Sequence, residues 1–270
     1  MEIESSTART GSLLLAVALM AVACARPAQL LEERVVIDLS HPYNAATIYW
    51  PTEDGFLLER ESGGITEGGY WYAANRFRSA EHGGTHIDAP EHFAQDQWTV
   101  DEIPLDSLIG PAVLVDVRAQ AEADPDYEVA VEDFEEWETR NGEIPGGAIV
   151  LIRTGFGSYW PDRARYLGTA DFGPEAVRKL HFPGLAPSAA NWLVVERKIH
   201  AVGLDTASID HGQSRLFETH QALSAANVPA FENLANLDKL PMRGFIVVAL
   251  PMKIEGGSGA PLRAIALLPR

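Results

Sequence analysis

Glu81-His82-Gly83-Gly84-Thr85-His86-Ile87-Asp88-Ala89-Pro90-Glu91-His92-Phe93 gathers three histidines and one aspartate within eleven residues, in a chain of 270 that holds only 8 histidines. The four-residue step from His82 to His86 would put both on one helix face, but Gly83, Gly84 and Pro90 oppose a helix here. An extended or looped backbone follows. In an extended segment His86 and Asp88, two apart, point to the same side, and the glycines let the chain fold back so that His82 joins them. Two neutral imidazoles and one carboxylate make a three-ligand set with room for water, the layout of a catalytic rather than a structural metal site. Any one of these histidines alone reads as a loop residue making a hydrogen bond; the group does not.

Outward from this stretch, short β-branched runs alternate with helical patterns and turn residues, which predicts one mixed α/β domain over residues 31–270. Strands are predicted at Val35 to Leu39, Tyr70 to Arg76, Ala112 to Val117, Ala148 to Ile152, Ile199 to Leu204, Phe245 to Leu250 and Leu262 to Leu268. Most are continuous apolar runs, which suits strands covered on both faces. Helices are predicted at Val131 to Arg140, Ser188 to Arg197 and Glu218 to Ala226, and Glu255 to Pro261 reads as a loop. There is no internal repeat and no low-complexity tract.

A second polar cluster lies at Glu218-Thr219-His220 and Phe231-Glu232-Asn233. His220 and Glu232 are placed at the two ends of a helix and its following loop, where alone they would read as surface residues. Trp50, just before Pro51, suits a loop lining a pocket, although a core aromatic is the plain alternative. His92 is a proton acceptor and donor beside a metal, or else a fourth ligand. His41, His181, His200 and His211 lack clustered partners and read as structural. Gly155-Phe156-Gly157-Ser158 is not a nucleophile elbow, and Gly256-Gly257-Ser258-Gly259 is not a phosphate loop because no Lys-Ser/Thr pair follows.

Apolar residues make up 46% and charged residues 22%, ordinary globular composition. The net charge of −17 and the lack of a basic cluster exclude nucleic acid as a partner. The apolar run Leu13 to Ala23, ending in Ala21-Val22-Ala23-Cys24, predicts a secretory signal over residues 1–23 and an exported, periplasmic protein, with Cys24 open to lipid attachment as a membrane tether. Cys24 is the only cysteine, so the chain has no internal disulfide and no cysteine-held metal.

The stretch His82 to Phe93 resembles the H-x-G-T-H-x-D-x-P-x-H motif of the cyclase-like metal hydrolases, a family that includes bacterial kynurenine formamidase and isatin hydrolase. The resemblance extends from Asp38-Leu39-Ser40-His41-Pro42 and Tyr49-Trp50-Pro51 to Gly203-Leu204-Asp205-Thr206 and Phe231-Glu232-Asn233-Leu234. It implies an α/β fold with a mixed sheet flanked by helices (the swivelling β/α, cyclase-like fold), usually as a homodimer. It also implies a first metal site of His82, His86 and Asp88 and a second of Asp88, His220 and Glu232, with Asp88 bridging. His92 matches the proton donor and acceptor, and Trp50 an aromatic packed on the substrate ring. One or two divalent ions are expected, Mn2+ or Zn2+. Chain length and the stretch Asp205 to Ser214 resemble the isatin hydrolase branch, which implies opening of a cyclic aromatic amide, isatin to isatinate. N-formylkynurenine hydrolysis by an arylformamidase is the alternative. A noncatalytic exported metal- or ligand-binding lipoprotein is a third reading, and His92 beside a full ligand set speaks against it.

Overall fold

The structure, a computed structural model, describes residues 34–270. The signal segment 1–23 and Cys24 lie outside the described residues. No helix among those described is long and apolar enough to cross a membrane.

Among the described residues twelve strands form, numbered here in chain order. The first six are β1 (Arg34–Asp38), β2 (Leu57–Ile65), β3 (Trp71–Arg78), β4 (His86–Asp88), β5 (Ile109–Asp116) and β6 (Glu128–Val129). The remaining six are β7 (Ile149–Arg153), β8 (Gly184–Leu185), β9 (Ala201–Leu204), β10 (Ala230–Glu232), β11 (Arg243–Pro251) and β12 (Gly259–Pro269). The main sheet runs β1-β12-β11-β5-β7-β9-β10-β4, and β4 pairs again with the start of β12, so the ladder from β12 to β4 closes on itself. The links β5-β7-β9-β10 are parallel, while β11, β12, β1 and β4 pair antiparallel. The mixed sheet implied by the family resemblance is present.

The runs of β5, β7 and β9 are buried on both faces, whereas β1, β3 and β11 keep exposed residues, and alternation along β5 and β7 separates two cores. Ala112, Leu114, Ile149 and Leu151 point to one side, where they meet Leu39, Ile87, Phe231 and Leu262. Val113, Val115, Val150 and Ile152 point to the other, under Phe134 and Trp137 of the helix Val131–Asn141 and Leu193 beyond the helix Pro187–Trp192. The first of these helices starts where Asp133 accepts the Ala130 N–H at 2.8 Å and stops at Gly142, whose φ of 83° an L side chain would resist. Trp137 is tied to the sheet by its indole N–H, which donates to the Leu114 carbonyl at 2.8 Å.

Three expectations need correction. Glu255 to Pro261 is not all loop, because β12 begins at Gly259 to pair with β4. Glu232 sits on a strand, β10, rather than in a loop, held between β4 and β9. The last turn of the helix predicted over Ser188 to Arg197 is a π turn, Leu193–Arg197. Strand β2 was not foreseen at all: its residues are mostly exposed on both faces and carry no apolar alternation.

Candidate active site

Strand β4 is only three residues long, yet it carries His86 and Asp88 on one side of a fully buried segment. The bend before it depends on glycine. Gly83 has φ 152° and Gly84 φ 59°, and a Cβ on Gly83 would sit 2.1 Å from the Tyr49 ring. That close approach folds the chain back and brings His82 over Asp88. His82 Nδ1 lies 2.7 Å and His86 Nε2 3.2 Å from the same oxygen, Asp88 Oδ1. The other oxygen, Oδ2, lies 3.2 Å from Nε2 of His220, in the first turn of the helix Glu218–Ala225. Glu232 completes the cluster, with Oε2 3.5 Å from His86 and Oε1 3.4 Å from His220. All five predicted metal-ligating side chains therefore converge, with Asp88 central as the resemblance implies. His82, Asp88 and His92 offer ligand atoms within 4.8 Å of one another, as do His86, Asp88 and Glu232.

Each imidazole has its far nitrogen committed elsewhere, an arrangement that fixes the ring and its tautomer. His86 Nδ1 faces the Gly84 carbonyl at 3.0 Å. His220 Nδ1 faces Asp210 Oδ2 at 2.6 Å. His82 Nε2 faces the Ser258 hydroxyl at 3.0 Å. Sequence reading assigned no role to Asp210 or Ser258. Asp210 lies in the stretch Asp205 to Ser214, but nothing local pairs it with a histidine ten residues on.

Burial works against the charges in this cluster, and hydrogen bonds overcome it where they are dense. Burial alone would raise the Asp88 carboxyl, yet the bonds from His220, His82 and His86 hold it well below the usual carboxylate range. Burial alone would lower His220, but Asp210, Asp88 and Glu232 raise it well above the usual histidine value. Burial and the neighbouring Asp88 push Glu232 up. Two carboxylates this close in a buried pocket call for positive charge between them. The donor set fits a divalent cation: hard carboxylate oxygens and imidazole nitrogens, pre-oriented from behind and buried.

The cluster floors a cavity of about 390 Å³. Trp50 lines it, half-buried, edge-on to Phe182 and Phe217. His92 stands at the end of the turn Pro90–His92, stacked on His82 at 3.8 Å between ring centroids and edge-on to Phe93. Its ring makes no hydrogen bond among the described residues, and burial pushes its pKa down to about 4. At neutral pH it is an uncharged base facing the cavity. Carboxylates line the cavity at Glu53, Glu81, Asp88 and Glu232, and among the described residues no Lys or Arg does.

Three of the four histidines set aside as structural are paired with polar groups outside this cavity. His181 meets Asp126 at 2.7 Å, His211 meets Glu128 at 3.3 Å and His200 meets the Asp106 carbonyl at 2.9 Å. The fourth, His41, stacks on Trp160 at 4.2 Å.

A mixed, closed sheet that sets imidazoles and carboxylates at the floor of an apolar cavity defines a metal-dependent hydrolase. The chain belongs to the cyclase family, whose model, described as "Putative cyclase", matches residues 37–211. It is similar to an isatin hydrolase of Roseibium aggregatum, 36% identical over 75% of this chain and 77% of that one. A kynurenine formamidase of Sphingopyxis alaskensis is 31% identical over 84% of this chain and 95% of its own. The solved structure of an isatin hydrolase from Ralstonia solanacearum superposes with a TM-score of 0.80 at 33% identity, covering 96% of this chain and all of that one.

Proposed function

We propose that this protein hydrolyses a neutral, planar cyclic aromatic amide of the isatin type, opening the ring to a carboxylate and an aromatic amine. The observation that carries the reading is the cavity itself, with aromatic walls, a buried donor cluster at its floor and, among the described residues, no Lys or Arg along its lining. The similarity to isatin hydrolases supports it.

His82, His86, Asp88, His220 and Glu232 would hold one or two divalent ions, and His and carboxylate donors suit Mn2+ and Zn2+ alike. Such an ion supplies Lewis acidity, withdrawing charge from a carbonyl oxygen and bringing the pKa of water to about 7. The residues of the chain do the rest. The face of Trp50 positions the ring, and the surrounding Phe93 and Phe217 keep bulk water away. His92, neutral and unclaimed, takes a proton from the attacking water and returns it to the ring nitrogen as the carbon–nitrogen bond breaks. Water oxygen ends on the carbonyl carbon, giving the carboxylate, and one proton is released to solvent.

N-formylkynurenine is the second reading, favoured by the family's kynurenine formamidases. Its amino-acid tail carries an ammonium and a carboxylate, and among the described residues the lining offers carboxylates for the first but no Lys or Arg for the second. A homodimer is proposed because, among the described residues, the hairpin β2-β3 pairs with no other strand and exposes Leu58, Ile65, Trp71 and Phe77. A two-stranded hairpin bared on both faces is marginal alone, and such apolar surface marks an interface. Export to the periplasm, with a lipid tether at Cys24, is proposed from the leader sequence. Following isatin and N-formylkynurenine by absorbance with the same metal-loaded enzyme tests the substrate. A higher kcat/KM for isatin is expected, and faster N-formylkynurenine turnover would reverse the order.

A further inference from the structure

The Gly-rich stretch that fails as a phosphate loop lies against the most exposed ring of the metal cluster. His82 keeps 24% of its side chain accessible, against 3% for His86 and 7% for His220. Its far nitrogen, Nε2, lies 3.0 Å from Ser258 Oγ, and that hydroxyl lies 2.8 Å from Glu81 Oε2. The Ser258 backbone N–H also donates to Glu81 Oε2, at 3.1 Å. A hydroxyl has one proton. Ser258 donates it to Glu81 Oε2, which also accepts the Ser258 backbone N–H, so the hydroxyl has only lone pairs left for His82. When a cation sits between His82 and Asp88, the His82 proton is then on Nε2, and Nδ1, 2.7 Å from Asp88 Oδ1, offers its lone pair to the ion.

The flanking glycines make this approach possible. A Cβ on Gly259 would lie 2.5 Å from His82 Cε1 and 2.7 Å from the Ile87 carbonyl oxygen, and one on Gly257 3.0 Å from Glu81 Oε1. The Ser258 carbonyl accepts the Ala89 N–H at 2.9 Å, which ties the segment to the end of β4. Sheet register continues the tie, pairing Gly259 with Asp88.

We propose that Glu81 and Ser258, seated by Gly257 and Gly259, are positioning residues that lock His82 in its Nε2–H tautomer so that Nδ1 faces the metal. The proposal rests on the metal-site reading above. Removing such an outer partner lowers metal affinity by about 10–100-fold. Ser258→Ala should therefore weaken Zn2+ binding by that factor, measured by competition with a chromophoric chelator, while the melting temperature of the metal-free protein stays near wild type. Glu81→Gln, whose amide oxygen can still accept from Ser258, should lose less than Glu81→Ala. Nitrogen-15 NMR of the Zn2+-loaded wild type should show His82 protonated at Nε2, and kcat of Ser258→Ala should recover at saturating metal. Unchanged Zn2+ affinity in Ser258→Ala, or a proton on His82 Nδ1 in the loaded protein, overturns the lock and leaves the metal site standing. A wild type that takes up neither Zn2+ nor Mn2+ overturns the metal reading and the lock with it.

Discussion

Replacing Asp210 with Asn changes one oxygen to an amide nitrogen at a position 3% exposed, and its consequences follow from four contacts. Asp210 Oδ2 accepts from His220 Nδ1 at 2.6 Å and from the His220 backbone N–H at 3.1 Å. Oδ1 accepts from the Thr219 N–H and the Ser214 hydroxyl, both at 3.2 Å. The carboxylate thus satisfies the first turn of the helix Glu218–Ala225 and orients the ring that faces Asp88. Asparagine keeps one acceptor, and its NH2 must point at a donor wherever it turns. Hydrogen bonds to a charged group are worth about 1.5–3 kcal/mol against about 0.5–1.5 for neutral ones, so a stability loss of about 2 kcal/mol is expected. For a domain of this size that lowers Tm by roughly 4–8 °C. Freed from its partner, His220 should also cost about 10–100-fold in metal affinity. Thermal melts of the metal-free variant and calorimetric titration with Mn2+ read the two effects separately. An Asp210→Asn protein with wild-type Tm and wild-type Mn2+ affinity would refute the role given to this carboxylate.

His92→Ala should retain metal while kcat falls by about a hundredfold or more, the usual worth of a general acid and base; loss of the metal instead would make His92 a ligand. Gly83→Ala should fold poorly or lose metal, because its Cβ would enter the Tyr49 ring, and soluble expression with full metal content would count against the bend described here. Asp116 lies opposite Arg153 at the ends of β5 and β7, and its bonds to Arg118 and Arg153 outweigh burial and hold its carboxyl at about 2. That pair's contribution is fully present above the unfolded value of about 3.9 and is lost as pH falls through about 2. Discounted for solvent screening it is roughly 1 kcal/mol, so Asp116→Asn should lower Tm slightly at pH 7 and flatten the acid limb of the stability profile; an unchanged acid limb would remove the pair from the explanation.

Much of this site was legible because its chemistry is concentrated in sequence. His82, His86, Asp88 and His92 occur in one stretch, and Gly83, Gly84 and Pro90 correctly argued against a helix. The apolar runs of β5, β7 and β9 were legible as strands because both of their faces are covered. What escaped was set by partners far away along the chain. Ser258 meets His82 across 176 residues, and its Gly-rich surroundings look like any loop until β4 pairs with them. Glu232 gives no strand signal of its own because β10 is three residues long and exists only between β4 and β9. Strand β2, with charged residues and two glycines in a row, carries no pattern that a sheet with one dry face would impose.

On the proposed mechanism, water would be activated at a metal held by His82, His86 and Asp88, with His220 and Glu232. Stripping the purified protein with a chelator, then adding Mn2+ or Zn2+ in steps while following isatin opening, tests it most directly. Activity should vanish in the stripped protein and return to a plateau at about one to two equivalents per chain, whereas a protein shown by elemental analysis to be metal-free and still fully active would contradict the mechanism outright.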